Sequence, residues 1–135
     1  MSDGPTVTRL GSGGPWEARY GYSRVIRAGG LAITAGCTST VDGRVVHVGD
    51  AAAQTAQALR IGLDALAEVG AGPADVVRTR MYVTDRSYAD EVGRAHNAVF
   101  GAVRPVATMV VVAGLIDPDH LVEVELEAYL DRLAA

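Results

Sequence analysis

Two segments toward the end of the chain decide its fold: Arg104-Pro105-Val106-Ala107-Thr108-Met109 and Leu121-Val122-Glu123-Val124-Glu125. The first begins a β-branched run that extends to Ala113, and such runs favour a strand. In the second, apolar and acidic residues alternate, and the alternation extends to Leu130. A period of two places the valines on one face of a strand and the glutamates on the other. We therefore predict strands over 106–113 and 121–130, the second with an apolar face and an acidic face.

Helical periodicity is clearest between Asp50 and Gly70. Apolar residues recur there at spacings of three and four, and polar residues such as Gln54 lie largely elsewhere around the helix. Asp50 can cap this helix, and Gly70 can end it. The apolar positions are Ala52, Ala56, Leu59, Leu63 and Leu66.

These elements favour one α+β domain over residues 1–135, with two helices on one face of a mixed sheet. The second helix is predicted to start from a cap at Asp85 or Ser87, because Ser87 and Asp90 resemble a capping box. Residues 1–20 are rich in glycine, serine and proline and are expected to form a partly loop-like arm. The other predicted strands are 6–10, 22–28, 31–35, 45–48 and 76–84, and the helices are 51–69 and about 85–100.

The strand over 76–84 alternates as well, with Val77 and Thr79 on one face and Arg78 and Arg80 on the other. We expect these arginines to meet the glutamates of the last strand on the sheet face opposite the helices. Buried charges persist only when they are paired. The alternative is a solvated face whose ion pairs contribute little stability.

Composition argues against several classes of protein. The formal net charge is −4 and the arginines form no run, so a nucleic-acid partner is not expected. Cys37 is the only cysteine, and His47, His96 and His120 show no metal-ligand spacing, so we expect neither a disulfide nor a metal or other cofactor. With no apolar run of membrane-spanning length and no visible signal peptide, we expect a cytoplasmic protein without a membrane partner.

The quoted segments, together with Gly21-Tyr22, Ile33-Thr34-Ala35-Gly36 and Val77–Asp85, resemble the Rid family (YjgF/YER057c-type proteins) over nearly the whole chain. The best-known members are enamine and imine deaminases. The resemblance implies a chorismate-mutase-like fold, a homotrimer, and small-molecule clefts between subunits. It implies that Glu123 positions water, that Tyr22 lines the cleft, and that the Gly36 amide faces the ligand.

Three further positions of the resemblance concern the ligand. Cys37 follows Gly36; it is either a reactive thiol or, more often, a small buried apolar residue. Met109 stands where many members carry a cysteine. Ala107 stands where the deaminating members carry the arginine that binds the substrate carboxylate. Two charge-assisted hydrogen bonds, each contributing about 1.5–3 kcal/mol, would be missing for a 2-imino acid.

The sequence therefore leaves several functions open. The first is an enzyme of an arginine-lacking branch that acts on an imine-like metabolite by water and proton transfer at Glu123 and Tyr22. The second is a 2-imino acid or enamine deaminase in which Arg24 or Arg104 replaces the missing arginine. The third is a non-catalytic trimer that binds a metabolite or a protein. An endoribonuclease, a label attached to some family members, fits poorly with the acidic composition.

Overall fold

A computed structural model describes residues 6–131 of the chain. It confirms the α+β fold, and residues 1–5 of the predicted arm lie outside the described part. The strands are β1 (Val7–Leu10), β2 (Val25–Ala28), β3 (Leu31–Thr34), β4 (Thr40–Val41), β5 (Arg44–Val45), β6 (Val76–Val83), β7 (Val106–Val111) and β8 (Val122–Tyr129). The helices are α1 (Pro15–Tyr20), α2 (Ala51–Glu68) and α3 (Ala89–Phe100).

One six-stranded mixed sheet, in the order β1-β2-β3-β8-β6-β7, forms the centre of the domain. Only β6 and β7 run parallel, because α3 connects them as a crossover. The predicted strands over 22–28 and 31–35 form the β2–β3 hairpin, which turns at Gly29-Gly30 with Gly29 at a φ of 59° that favours glycine. The last strand of the chain, β8, lies between β3 and β6 and thus near the middle of the sheet.

The core lies between the sheet and helices α2 and α3. Val122, Val124, Leu126 and Ala128 of β8 are each fully buried, which confirms the apolar face predicted for this strand. Full burial of a valine or leucine side chain contributes about 1.5–3 kcal/mol. The alternation therefore fixes which face of β8 packs against the helices.

The buried stripe of α2 differs from the predicted one at Gln54. This residue is fully buried, whereas Ala56 is exposed. The Gln54 amide donates hydrogen bonds to the carbonyl oxygens of His47 and Asp119, at 3.2 and 2.9 Å, and accepts one from the Leu121 amide at 2.9 Å. Burial is tolerated because both ends of the amide are satisfied.

A bulge changes the start of β6. The register shifts between Val76 and Arg78, so Val76 is buried and Val77 is 48% exposed. The predicted alternation is therefore wrong at these first residues and right from Thr79 onward. An extra residue in one strand is the usual origin of such a reversal of faces.

Two helix starts also differ from the predictions. Asp85 accepts a hydrogen bond from the Ser87 amide at 2.8 Å and caps a short 3-10 turn, so α3 begins only at Ala89 and Ser87 does not cap it. The arm, predicted to be partly loop-like, contains α1, which begins at Pro15 and is capped at its C-terminus by Gly21 with a φ of 77°. Within residues 6–131, no helix is both long and apolar enough to cross a membrane.

Candidate active site

Gly36 and Glu123 meet where the chain leaves β3. Cys37 and Val124 form an isolated antiparallel bridge, with the Cys37 amide 2.7 Å from the Val124 carbonyl and the reverse bond at 2.9 Å. Because the Val124 side chain points into the core, that of Glu123 points to the opposite face of the sheet. A Cβ atom built on Gly36 would lie 2.8 Å from the carboxyl carbon of Glu123 and would collide with its Oε1. Only glycine leaves room for this carboxylate.

The surroundings of the Glu123 carboxylate favour its protonated form. Burial and the negative charge of Glu125 raise its pKa above the ordinary value, and the positive charge of Arg24 partly opposes this. Among residues 6–131, no group donates a hydrogen bond to this carboxylate. A half-buried carboxyl group with a raised pKa and free oxygen atoms is suited to act as a general acid or base.

Arg24 connects the remaining residues of the site. Its Nη1 donates to the Gly36 carbonyl oxygen at 2.5 Å and lies 3.8 Å from the Cys37 sulfur. Its guanidinium lies 5.8 Å from the centre of the Tyr22 ring. The side chain is only 17% exposed, so the arginine holds the turn at Gly36 from within the protein.

Glu17 of α1 neutralises this arginine. The Arg24 Nε donates to Glu17 Oε2 at 3.3 Å. Ser12 supplies two further bonds, from its amide at 2.8 Å and its hydroxyl at 2.5 Å. Burial alone would raise the pKa of Glu17, but the Ser12 bonds and the Arg24 charge outweigh it and keep the pKa below the usual value. Glu17 therefore stays ionised and balances Arg24.

The Cys37 side chain lies on the core side of the site. It is 1% exposed, and its sulfur lies 3.6 Å from the position that a Cβ on Gly62 of α2 would take. Burial raises the pKa of the thiol, and the nearby Arg24 only partly opposes this. The residue therefore has the character of a small buried apolar group, and its backbone rather than its sulfur lies beside Glu123.

Ala107 and Met109 do not lie beside Glu123 of the same chain. Tyr82 of β6 pairs with Glu123 of β8 on one side and with Val110 of β7 on the other. Val110 is therefore the β7 residue at the same height in the sheet as Glu123. Ala107 thus lies about 10 Å away along the strand and about 10 Å across two strands. It also pairs with the buried Thr79, which places its side chain on the helix face of the sheet. These two residues can share a cleft with Glu123 only if they come from a neighbouring subunit.

Arg104 does not replace the missing arginine within the chain. It lies just beyond α3 with a φ of 56°, and its amide donates to the Phe100 carbonyl at 2.8 Å. It precedes Val110 by six residues, which corresponds to about 20 Å along the strand. Of the two arginines that the sequence analysis considered, only Arg24 lies at the site.

The predicted meeting of arginines and glutamates on the open sheet face is confirmed. Arg80 lies 2.7 Å from Glu127 and 3.6 Å from Glu125, and Arg78 lies 3.9 Å from Glu127. Tyr82, which the sequence analysis did not single out, donates its hydroxyl to Glu125 at 2.7 Å. In the described part of the chain, no group of three histidine, cysteine or acidic residues is arranged to hold a metal ion.

The fold and the site define the class of protein to which the chain belongs. A family model described as endoribonuclease L-PSP matches residues 15–130. A crystal structure from Mycobacterium tuberculosis, of a member of the YjgF/YER057c/UK114 family, is 48% identical, with a TM-score of 0.84 over 93% of this chain and 100% of that one. The chain is therefore a member of this family, which is also called the Rid family.

Two curated relatives support the same family. An uncharacterized protein of Streptomyces coelicolor is 43% identical over 123 residues, which make up 91% of this chain and 92% of that protein. The 3-aminoacrylate deaminase RutC of Acinetobacter baylyi is 34% identical over 86 residues, which make up 64% of this chain and 68% of that protein.

Proposed function

We propose that the protein hydrolyses the C=N bond of a small imine, or of an enamine through its imine form, in clefts between the subunits of a homotrimer. Tyr22, Gly36 and Glu123 would come from one subunit, with the Cys37 backbone beside them. Ala107 and Met109 would come from the next. The edge strand β7 supports an assembly, because Val106 and Val110 on its open face are 59% and 41% exposed. Exposed apolar side chains on one face of a sheet edge favour an interaction site.

One observation carries the chemistry: the Glu123 carboxylate lies over Gly36 with a raised pKa and no hydrogen-bond donor among residues 6–131. As a base, it takes one proton from water while the water oxygen bonds to the carbon of the protonated imine and the C=N π electrons move to nitrogen. As an acid, it returns this proton to the nitrogen of the carbinolamine. When the C–N bond breaks, the carboxylate takes up the hydroxyl proton of the carbinolamine and passes it to the departing amine. The sum is an imine plus water giving a carbonyl compound and an amine or ammonia.

The proposed substrate is not a 2-imino acid. Ala107 offers no hydrogen bond to a carboxylate, whereas a guanidinium would offer two in parallel. RutC is a 3-aminoacrylate deaminase by name, and the likeness to it supports the reaction class only. We do not propose RNA cleavage, because a formal net charge of −4 does not favour binding of a polyanion.

The test is hydrolysis of imines that a flavin-dependent amine oxidase generates in place, measured as carbonyl product formed faster than by spontaneous hydrolysis. Glu123→Gln should abolish the added rate, because glutamine cannot accept the proton. Glu68→Gln, which makes the same change at an exposed position at the end of α2, should keep it.

Two outcomes would contradict the proposal. An unchanged rate in Glu123→Gln would remove this residue from the reaction. Ligand binding without any acceleration by the unmodified protein would favour the non-catalytic binding module instead. Sedimentation at several protein concentrations tests the homotrimer separately.

A further inference from the structure

His96 of α3 lies on the helix face of the sheet, next to the part of β7 that carries Ala107. Its Nε2 lies 2.8 Å from the hydroxyl oxygen of Thr79, which is fully buried on β6. Thr79 pairs with Ala107 of the parallel strand β7, and residues paired in this way lie about 4.8 Å apart with their side chains on the same face. One turn earlier in α3, a Cβ atom on Gly93 would lie 4.0 Å from the Cε of Met109. The helix therefore places His96 beside Ala107.

Two contacts fix the imidazole ring of His96. The buried ring of Phe100 lies 5.0 Å from it, centre to centre, in a tilted arrangement. On its other side, His96 is the only hydrogen-bond partner of the Thr79 hydroxyl among residues 6–131. A buried hydroxyl hydrogen needs an acceptor, so Thr79 donates to Nε2. Burial lowers the pKa of His96 and favours the neutral ring, which then carries its hydrogen on Nδ1.

The Nδ1–H group of His96 is left without a partner in the described part of the chain. Every fully buried polar side-chain atom of residues 6–131 has a hydrogen-bond partner, and none is present for this nitrogen, so it is open to solvent. Ala107 beside it is exposed. A donor with a fixed direction at an exposed edge strand is suited to bind an acceptor atom of a ligand.

We propose that His96 donates its Nδ1–H to an oxygen atom of the ligand beside Ala107, in the cleft that Glu123 of the neighbouring subunit completes. This inference rests on the proposed function and adds a ligand-binding residue and a substrate class to it. A single neutral donor suits a neutral acceptor, because no charge has to be desolvated. The ligand is therefore an imine whose carbon atom bears a carbonyl or hydroxyl group.

The experiment uses two ring imines of equal size, 2-acetyl-1-pyrroline and 2-isopropyl-1-pyrroline, in which an acceptor oxygen replaces a methyl group. Calorimetry or ligand-observed NMR gives their dissociation constants with the full-length protein at neutral pH. The ratio of the two constants is compared between proteins, because this comparison cancels the effect of the acetyl group on the basicity of the nitrogen. His96→Gln should lower the preference for the acetyl compound about fivefold, since a hydrogen bond between neutral groups corresponds to a factor of about 2 to 12. An unchanged ratio, or no binding of either compound at millimolar concentration, would overturn the inference.

A second variant separates ligand binding from packing. Glutamine at position 96 can still accept the Thr79 hydroxyl where Nε2 does, but it has no donor at the place of Nδ1. His96→Asn keeps an N–H group near that place and loses the bond to Thr79. We therefore expect His96→Asn to be the less stable variant in thermal unfolding and yet to keep more of the preference for the acetyl compound. If His96→Asn loses more of the preference than His96→Gln, the side chain acts through packing and the inference is wrong.

His47→Gln is the matched control, because it makes the same substitution at an exposed position before α2. It should leave the affinities for both compounds unchanged. If His96→Gln does not fold, His96→Phe makes the same measurement, since phenylalanine keeps a ring next to Phe100 but has no N–H group. It should lower the preference by the same factor.

The inference and the proposed function can fail separately. If imines are hydrolysed in a Glu123-dependent way but the ratio is the same in His96→Gln, the hydrolysis stands and His96 is a packing residue. If the ratio falls in His96→Gln but no imine is hydrolysed, the contact with the ligand stands and the protein is a binding module.

Discussion

The buried amide of Gln54 provides the sharpest test of the fold. Replacement by leucine keeps the approximate size of the side chain but leaves the Leu121 amide and the Asp119 carbonyl oxygen without their partner. The His47 carbonyl oxygen keeps its second donor, the Asp50 amide at 3.1 Å. Each buried polar group left unsatisfied costs about 1–3 kcal/mol. Since two groups are affected and leucine recovers part of the cost through apolar burial, we expect Gln54→Leu to lower the free energy of unfolding by about 2–4 kcal/mol.

The assay is urea unfolding followed by circular dichroism at one fixed protein concentration, because the stability of an oligomer depends on concentration. For a chain of this length, a loss of 3 kcal/mol corresponds to a fall in Tm of about 10 °C. Gln57→Leu is the matched control: it makes the same substitution one turn further along α2, at a half-buried position. It should change stability by less than about 0.5 kcal/mol. A loss below about 1 kcal/mol for Gln54→Leu would refute the reasoning, because water would then be replacing the amide.

Three further predictions concern the site and the open sheet face. Gly36→Ala should displace the Glu123 carboxylate and lower the rate of imine hydrolysis by about 100-fold. Thermal unfolding should show that the variant is still folded. An unaffected rate would mean that the backbone at residue 36 moves and the carboxylate keeps its position. Glu123→Gln should be more stable than the unmodified protein at neutral pH, with the gain shrinking as pH falls. The reason is that the raised pKa of the Glu123 carboxyl group gives the folded protein stability that is present below the unfolded pKa and is lost as pH rises through the folded pKa. Urea unfolding of both proteins at pH 4 and pH 7 measures the difference in stability. A gain for Glu123→Gln that grows toward acid pH would show that the sign is wrong. Arg80→Ala removes the ion pairs with Glu125 and Glu127 and should shift the proposed trimer toward smaller species in sedimentation. An unchanged trimer would mean that these ion pairs lie on a solvated surface and do not contribute to assembly.

The sequence predicts elements well where one period dominates. Leu121–Leu130 keeps strict alternation, and the structure buries every second residue of it. The α2 stripe was harder to predict, because several of its buried positions hold alanine, threonine, glycine and Gln54, whose burial does not follow from hydrophobicity. The reversed faces of Val76 and Val77 depend on a bulge that no residue type in the segment signals.

The site was only partly accessible from the sequence. Glu123 and Gly36 were found through the family resemblance, and the structure places them in direct contact. Arg24 was named only as a spare cation, whereas it is the connecting residue of the site. Its partner Glu17 is seven residues away, across a helix end and a turn, so no periodic pattern relates the two. Contacts of this kind depend on how the chain turns and not on local spacing.

The position of Glu123 on β8 also bears on how such a site can change. Its neighbours Val122 and Val124 are fully buried in the core, so the backbone that carries this carboxylate is held in place by packing on both sides. In the site proposed above, new specificities would therefore arise around a fixed carboxylate, from the arm that carries Glu17, from the turn at Gly36, or from the edge strand of the proposed neighbouring subunit. A scaffold that fixes one reactive group and leaves the walls of its cleft on separate, replaceable segments can change its ligands without rebuilding its interior.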